Sequence, residues 1–158
     1  MNIKQWLFAK KIIRQAYKAK KITGLPASIL ASQAILETGW GQYIPTDINT
    51  GKFSYNLFGI KGKGSNGSVE VYTHEYIKGQ KIRIIAKFRA YTSYAESFMD
   101  YGNLILKADR YKKAVANKNN PKAYIYELWK AGYATDPNYP EKVLKIAESC
   151  KFIPKEKK

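Results

Sequence analysis

Histidine and cysteine are almost missing from this chain. Its 158 residues hold one His (His74) and one Cys (Cys150). A single cysteine excludes an intrachain disulfide. A zinc centre built from His and Cys is excluded on ligand count, as is any site that needs two histidines. A carboxylate-only metal site stays open on that count, but no metal or other cofactor is expected. Acidic residues are also scarce, with 12 Asp+Glu against 28 Lys+Arg and a formal net charge of +16. No run of 18 apolar residues exists, so no transmembrane helix and no membrane insertion are expected. Near the start, the longest apolar run is Trp6 to Ala9, too short for a signal-peptide core. Internal repeats and low-complexity segments are absent.

What is present suits one compact domain. The hydrophobic fraction is 45% and the aromatic fraction 14%, too apolar for a charge-extended chain. Residues 1–153 are read as a single domain and 154–158 as a basic tail. The positive charge suits a polyanionic setting; nucleic acid, anionic lipid and an anionic cell wall all fit.

The pattern is one of helices interrupted once by a hairpin. Ile3, Trp6, Leu7, Ile12, Ile13, Ala16 and Tyr17 recur at helical spacing, which predicts an amphipathic helix over 3–20 that Gly24 breaks. Pro26 opens a second helix running to Thr38, where Gly39 stops it. Residues 41–68 hold six Gly and read as loop, with the apolar knot NLFGI at Asn56–Ile60 inside it. Alternation over Val69–Ile77 and Lys81–Arg89, separated by Lys78-Gly79-Gln80, predicts a β-hairpin. Ser93-Tyr94-Ala95-Glu96 reads as a capping box opening a helix to Lys107. Further helices are expected near Tyr111–Ala116, from Asn120-Pro121 to Gly132, and over Pro140–Cys150.

With one His placed mid-strand, nucleophilic triads are poorly served, and the carboxylates are the better source of chemistry. Glu37 lies three residues after Ala34 and seven after Leu30, on the apolar stripe of its helix. Burial and the negative end of the helix dipole both raise a carboxyl pKa there, the state a proton donor needs. The plain alternative is an exposed helix-end Glu. Glu75 shares a strand face with Val69, Val71, Thr73 and Ile77, while Glu70 shares the other with Tyr72, His74 and Tyr76. Alternation does not say which face packs. For Glu75 alone, a solvated or salt-bridged strand residue is the simpler reading. Tyr43, Tyr55 and Phe58 in the glycine-rich segment, and Tyr133 and Tyr139 around Asp136, are natural platforms for sugars or bases, or ordinary core aromatics.

Five ordered blocks carry a family resemblance: ASQAILETGWGQ (31–42), SYNLFGIKG (54–62), VYTHEYIKG (71–79), FRAYTSYAESFMDY (88–101) and AGYATDPNYPEKV (131–143). Together they resemble the N-acetylglucosaminidase domain of glycoside hydrolase family 73, found in bacterial autolysins, phage lysins and flagellar peptidoglycan hydrolases. The resemblance implies an α+β, mainly α fold: a lysozyme-like helical lobe with a small β-hairpin lobe. It implies cleavage of the β-1,4 bond after N-acetylglucosamine in peptidoglycan. Glu37 matches the family's catalytic acid, Glu75 the second acid of the hairpin block, and Tyr133 the tyrosine placed near the acid. Asn56, Phe58 and Gly59 match the groove-lining block, and Tyr139 is added as a substrate contact.

A Glu at the foot of an apolar helix with a second Glu on a hairpin suits glycoside hydrolysis, where one carboxyl protonates the departing oxygen and another stabilises charge or activates water. A third route uses the substrate's own 2-acetamido group, assisted by Tyr133. Other readings are a muramidase, a lytic transglycosylase, or a non-catalytic basic module that binds polyanions. The cations are spread without a basic recognition helix, so no specific nucleic acid is expected. The expected partners are peptidoglycan glycan strands and anionic wall polymers, engaged by a monomer at the bacterial wall. A phage-type release or a domain excised from a larger secreted protein would bring it there.

Overall fold

In the computed structural model, residues 1–154 are described. The basic tail expected over 154–158 lies, from 155 onward, outside the described residues. Helix α1 spans Ile3–Thr23. Asn2 caps it in a reciprocal box with Gln5, and Gly24, in the left-handed conformation, donates its N–H to Lys20 O at 2.8 Å. Its buried stripe, Ala9, Ile12, Ala16, Ala19 and Thr23, follows the helical period.

Helix α2 spans Ala27–Glu37, and every residue from Ala27 to Ile35 is buried. It is buried all round because it is the central post of the lobe, packed against α1, α5 and α6. Its buried hydroxyls are satisfied within the helix, as where Ser32 Oγ donates to Ser28 O at 2.7 Å.

The hairpin is β1 (Ser68–Ile77) paired antiparallel with β2 (Gln80–Arg89). A three-residue connection was expected; the observed turn has two residues, Lys78 and Gly79, at φ 51° and 78°. Left-handed φ at both central positions matches the strand twist, so Gln80 joins β2 and pairs with Ile77. Burial fades along β1 from Val69, through Val71 and Thr73, to an exposed outer end at Glu75–Ile77. The hairpin base is tied to the next helix. Arg89 Nη1 donates to Asp100 Oδ2 at 2.9 Å, and the Tyr91 hydroxyl donates to the same oxygen.

Helix α3 spans Tyr94–Lys107, as expected. Ser93 Oγ accepts from Glu96 N, but the capping box is not reciprocal: the Glu96 carboxylate accepts from Thr92 N at 2.8 Å and from the Thr92 and Ser65 hydroxyls. The short helix expected at Tyr111–Ala116 is a 3-10 turn, Asp109–Tyr111, running into α4, Lys112–Ala116. Helices α5 (Pro121–Lys130) and α6 (Tyr139–Ser149) complete the lobe. The core is continuous across α1, α2, α3, α5 and α6. The fold is mainly α with one small antiparallel sheet.

Candidate active site

Glu37 closes α2, and the chain turns sharply just beyond it. Gly39, Trp40 and Gly41 take φ of 54°, 62° and 85°. A side chain at Gly41 would place Cβ 2.7 Å from the Phe8 ring, so that position needs glycine on both conformation and space. Thr38 fastens the turn: its Oγ1 donates to Ala34 O at 2.7 Å and accepts from Gly41 N at 2.9 Å. The buried post thus delivers its last side chain to the surface. Glu37 is reachable by solvent, yet protein crowds around its carboxyl, as in a concave wall, and this desolvation raises its pKa above the usual glutamate range.

A cluster of tyrosines stands beside it. Burial holds the Tyr133 hydroxyl well above the ordinary tyrosine range, with Tyr139 and the charge of Glu37 adding to the effect. Tyr139 is raised by burial first and by Glu37 as well. Both phenols therefore stay protonated beside the acid. Gln33, one turn before Glu37 and fully buried, braces the cluster. Its Nε2 donates to Tyr139 Oη at 3.1 Å, and its Oε1 accepts from Tyr101 Oη at 3.2 Å. The Tyr133 ring packs against Tyr101 and Tyr139, with centroids 6.1 and 5.6 Å away.

The 54–60 loop supplies a second wall. Phe58 lies flat on Tyr101, with centroids 3.8 Å apart and planes 9° apart. Phe58, Gly59, Tyr101 and Tyr133 all line one depression of about 370 Å³. Gly59 has φ 61° and open space at its Cβ position, so backbone conformation, not crowding, calls for glycine there.

Asn56, expected as a groove residue, lies beneath this wall. It is fully buried. Its Nδ2 donates to Ile60 O and Arg89 O at 2.9 Å, while Oδ1 accepts from Phe58 N and Ile60 N. Every hydrogen-bonding site of the amide is committed, so Asn56 shapes the wall from behind. Tyr139, expected as a substrate contact, is 4% exposed and meets Gln33 and Tyr133.

Glu75 lies on the exposed outer half of the hairpin. Its nearest charged partner is Lys61, with Nζ 3.9 Å from Oε1. The structure answers the question of faces. Val69, Val71 and Thr73, with Ile84, Ala86 and Phe88 opposite them, are the less exposed side, and Glu75 shares it. Tyr72, His74 and Tyr76 face water, Tyr72 with Arg83 laid over its ring at 4.1 Å.

Tyr101 and Gln33 escaped the sequence reading. Gln33 left a signal, a lone long amide in a helix otherwise of apolar residues and serine, one turn from the acid. Tyr101 ended the fourth block of the resemblance without being singled out. Among the described residues no group of three or more His, Cys, Asp or Glu is arranged to hold a metal, and no helix is long and apolar enough to cross a membrane.

A carboxyl with a raised pKa, on a tyrosine-lined wall of a lysozyme-like helical lobe, fits a glycoside hydrolase. The sequence model of the glucosaminidase family, described as mannosyl-glycoprotein endo-β-N-acetylglucosaminidase, matches residues 13–152. The peptidoglycan hydrolase FlgJ of Pseudomonas aeruginosa is 42% identical over 142 residues, covering 89% of this chain and 35% of that protein. The exo-glucosaminidase LytG of Bacillus subtilis is 36% identical over 125 residues, covering 77% of this chain and 43% of that protein. The glycoside hydrolase domain of Salmonella typhimurium FlgJ superposes with a TM-score of 0.78 at 36% identity, covering 94% of this chain and 99% of that one. The chain belongs to the glucosaminidase family, glycoside hydrolase family 73. It spans about a third to a half of the length of these curated relatives.

Proposed function

We propose that residues 1–153 form the catalytic domain of a peptidoglycan hydrolase that cuts the β-1,4 bond after N-acetylglucosamine, with Glu37 as general acid. The observation that carries this reading is the place of Glu37, at the exit of the buried post and beside the Tyr133–Tyr139 cluster, where desolvation raises its pKa. A desolvated carboxyl keeps its proton nearer neutral pH and can give it to the leaving oxygen as positive charge grows on the sugar. The relatives named above as peptidoglycan hydrolase and exo-glucosaminidase supply the substrate class.

Glu75 is the second carboxylate in this scheme, stabilising the charged sugar or activating water. Its place on the less exposed hairpin face supports that role. Tyr133 supports a second route, in which the substrate's acetamido oxygen attacks the anomeric carbon; its closeness to Glu37 favours it. Loss of turnover in Glu75→Gln selects the carboxylate route. Retained turnover in Glu75→Gln, with loss in Tyr133→Phe, selects the acetamido route.

Charge brings the enzyme to the wall. Helix α1 carries Lys4, Lys10, Lys11, Arg14, Lys18, Lys20 and Lys21 and no acid. Together with the net charge of +16 this face suits anionic wall polymers, with binding that weakens in salt. The protein works there as a monomer. Muropeptide analysis tests the bond assignment. New reducing ends of N-acetylglucosamine support it; reducing N-acetylmuramic acid means a muramidase, and a 1,6-anhydro product a lytic transglycosylase.

A further inference from the structure

The depression beside Tyr133 holds a charged residue that the acid chemistry does not use. Phe58, Tyr101, Tyr111 and Tyr133 line it with rings, and Leu104 adds an aliphatic face. Its volume of about 370 Å³ falls within the range of small-ligand sites, roughly 300–1,000 Å³. Among the described residues, the one charged side chain of its lining is Arg110. The guanidinium lies over the Tyr111 ring, 4.6 Å from the centroid. Its neighbour Asp109 is taken by Lys112 at 3.2 Å. Arg89, by contrast, is held by Asp100 at 2.9 Å. Among the described residues no carboxylate pairs with Arg110.

A ring-lined depression would serve a neutral sugar without a cation. A guanidinium with no carboxylate partner, set over an aromatic ring, adds a planar fork of donors matched to a carboxylate. Arg110 is exposed, so its donors are open to a ligand, and the ring contact favours this placement of the side chain. Most cations of this chain are lysines, which attract polyanions without such a fork.

We propose that Arg110 binds a carboxylate of the substrate, next to the cleavage point. Resting on the peptidoglycan reading above, that group is either the free lactyl carboxylate of an N-acetylmuramic acid unit or a carboxylate of the attached stem peptide. Arg110 is then a specificity residue that separates wall glycan from neutral β-1,4-linked N-acetylglucosamine polymers.

The test is calorimetric binding in a Glu37→Gln background, which prevents turnover, with and without Arg110→Gln. Three probes of equal glycan length are compared: peptide-bearing wall fragments, fragments stripped of peptide by an amidase, and N-acetylglucosamine oligomers. The expected result is that Arg110→Gln weakens binding of a carboxylate-bearing probe roughly tenfold more than binding of the neutral oligomer. A selective loss on stripped fragments identifies the lactyl group, and one on peptide-bearing fragments alone identifies the stem. Arg110→Lys, which keeps charge but not the fork, recovers part of the loss. Equal losses on all three probes, or no loss on any, overturn the proposal. Product analysis of the unmutated protein separates the two claims. Release of reducing N-acetylglucosamine without Arg110 discrimination removes this assignment alone, while failure to cut wall glycan removes the reading beneath it.

Discussion

Gln33 Nε2 donates to Tyr139 Oη at 3.1 Å, joining the post that carries the acid to a helix 106 residues further along the chain. Both side chains are buried. With the Tyr101 hydroxyl on its other end, Gln33 sets the ring wall against which Glu37 sits. Gln33→Leu leaves two buried phenols without this partner. The expected cost is about 1–3 kcal/mol of stability, with activity falling as the wall shifts. Denaturant melts and wall-digestion rates check both.

Tyr124 gives the opposite sign. Its hydroxyl is buried and, among the described residues, has no hydrogen-bond partner. Removing it while keeping the ring relieves an unmet desolvation penalty. Tyr124→Phe is expected to stabilise the protein by roughly 1 kcal/mol, read as a higher denaturant midpoint with an unchanged slope.

Gly64 is required for space. An added Cβ would sit 2.5 Å from the Ala90 carbonyl oxygen and 3.2 Å from the Ala90 nitrogen, both rigid backbone at the foot of β2. Gly64→Ala is expected to cost about 1–3 kcal/mol through local displacement. A thermal melt no lower than that of the parent would contradict it.

The raised pKa of Glu37 has a consequence for stability. The folded state holds this proton more tightly than the unfolded chain, whose value is near 4.5. Its contribution is therefore full below that value and is lost as pH rises through the folded pKa. Glu37→Gln is expected to melt higher than the parent at neutral pH, with the gap closing in acid. A variant that melts lower at neutral pH would mean the carboxylate is stabilised there instead.

Much of the fold was legible because its boundaries carry local chemistry. Ser93 and Lys107 bound α3 as read, since a capping serine and a fading apolar stripe act within one turn of chain. The hairpin turn slipped by one residue because Gln80 is as acceptable in a loop as in a strand; what decides is that Lys78 tolerates φ 51°. Helical spacing put Glu37 on a buried stripe, and the fold brings it out at the end of the post. The burial of Asn56 and Tyr139 was not legible, because a motif gives a neighbourhood without a direction. The face of Glu75 was beyond alternation alone, since both sides of β1 carry apolar and polar residues. Burial of Val69 settles which side packs. Arg110 and Tyr101 become visible only when α3, the 54–60 loop and Tyr133 meet in space.

The most direct measurement is the rate at which Glu37→Gln digests purified walls, compared with the parent at equal folded concentration. General acid chemistry at this carboxyl gives an expected drop of about 10²–10⁴-fold, with fold and wall binding kept. Digestion at the full rate would contradict it, because an amide at position 37 has no proton of that kind to give.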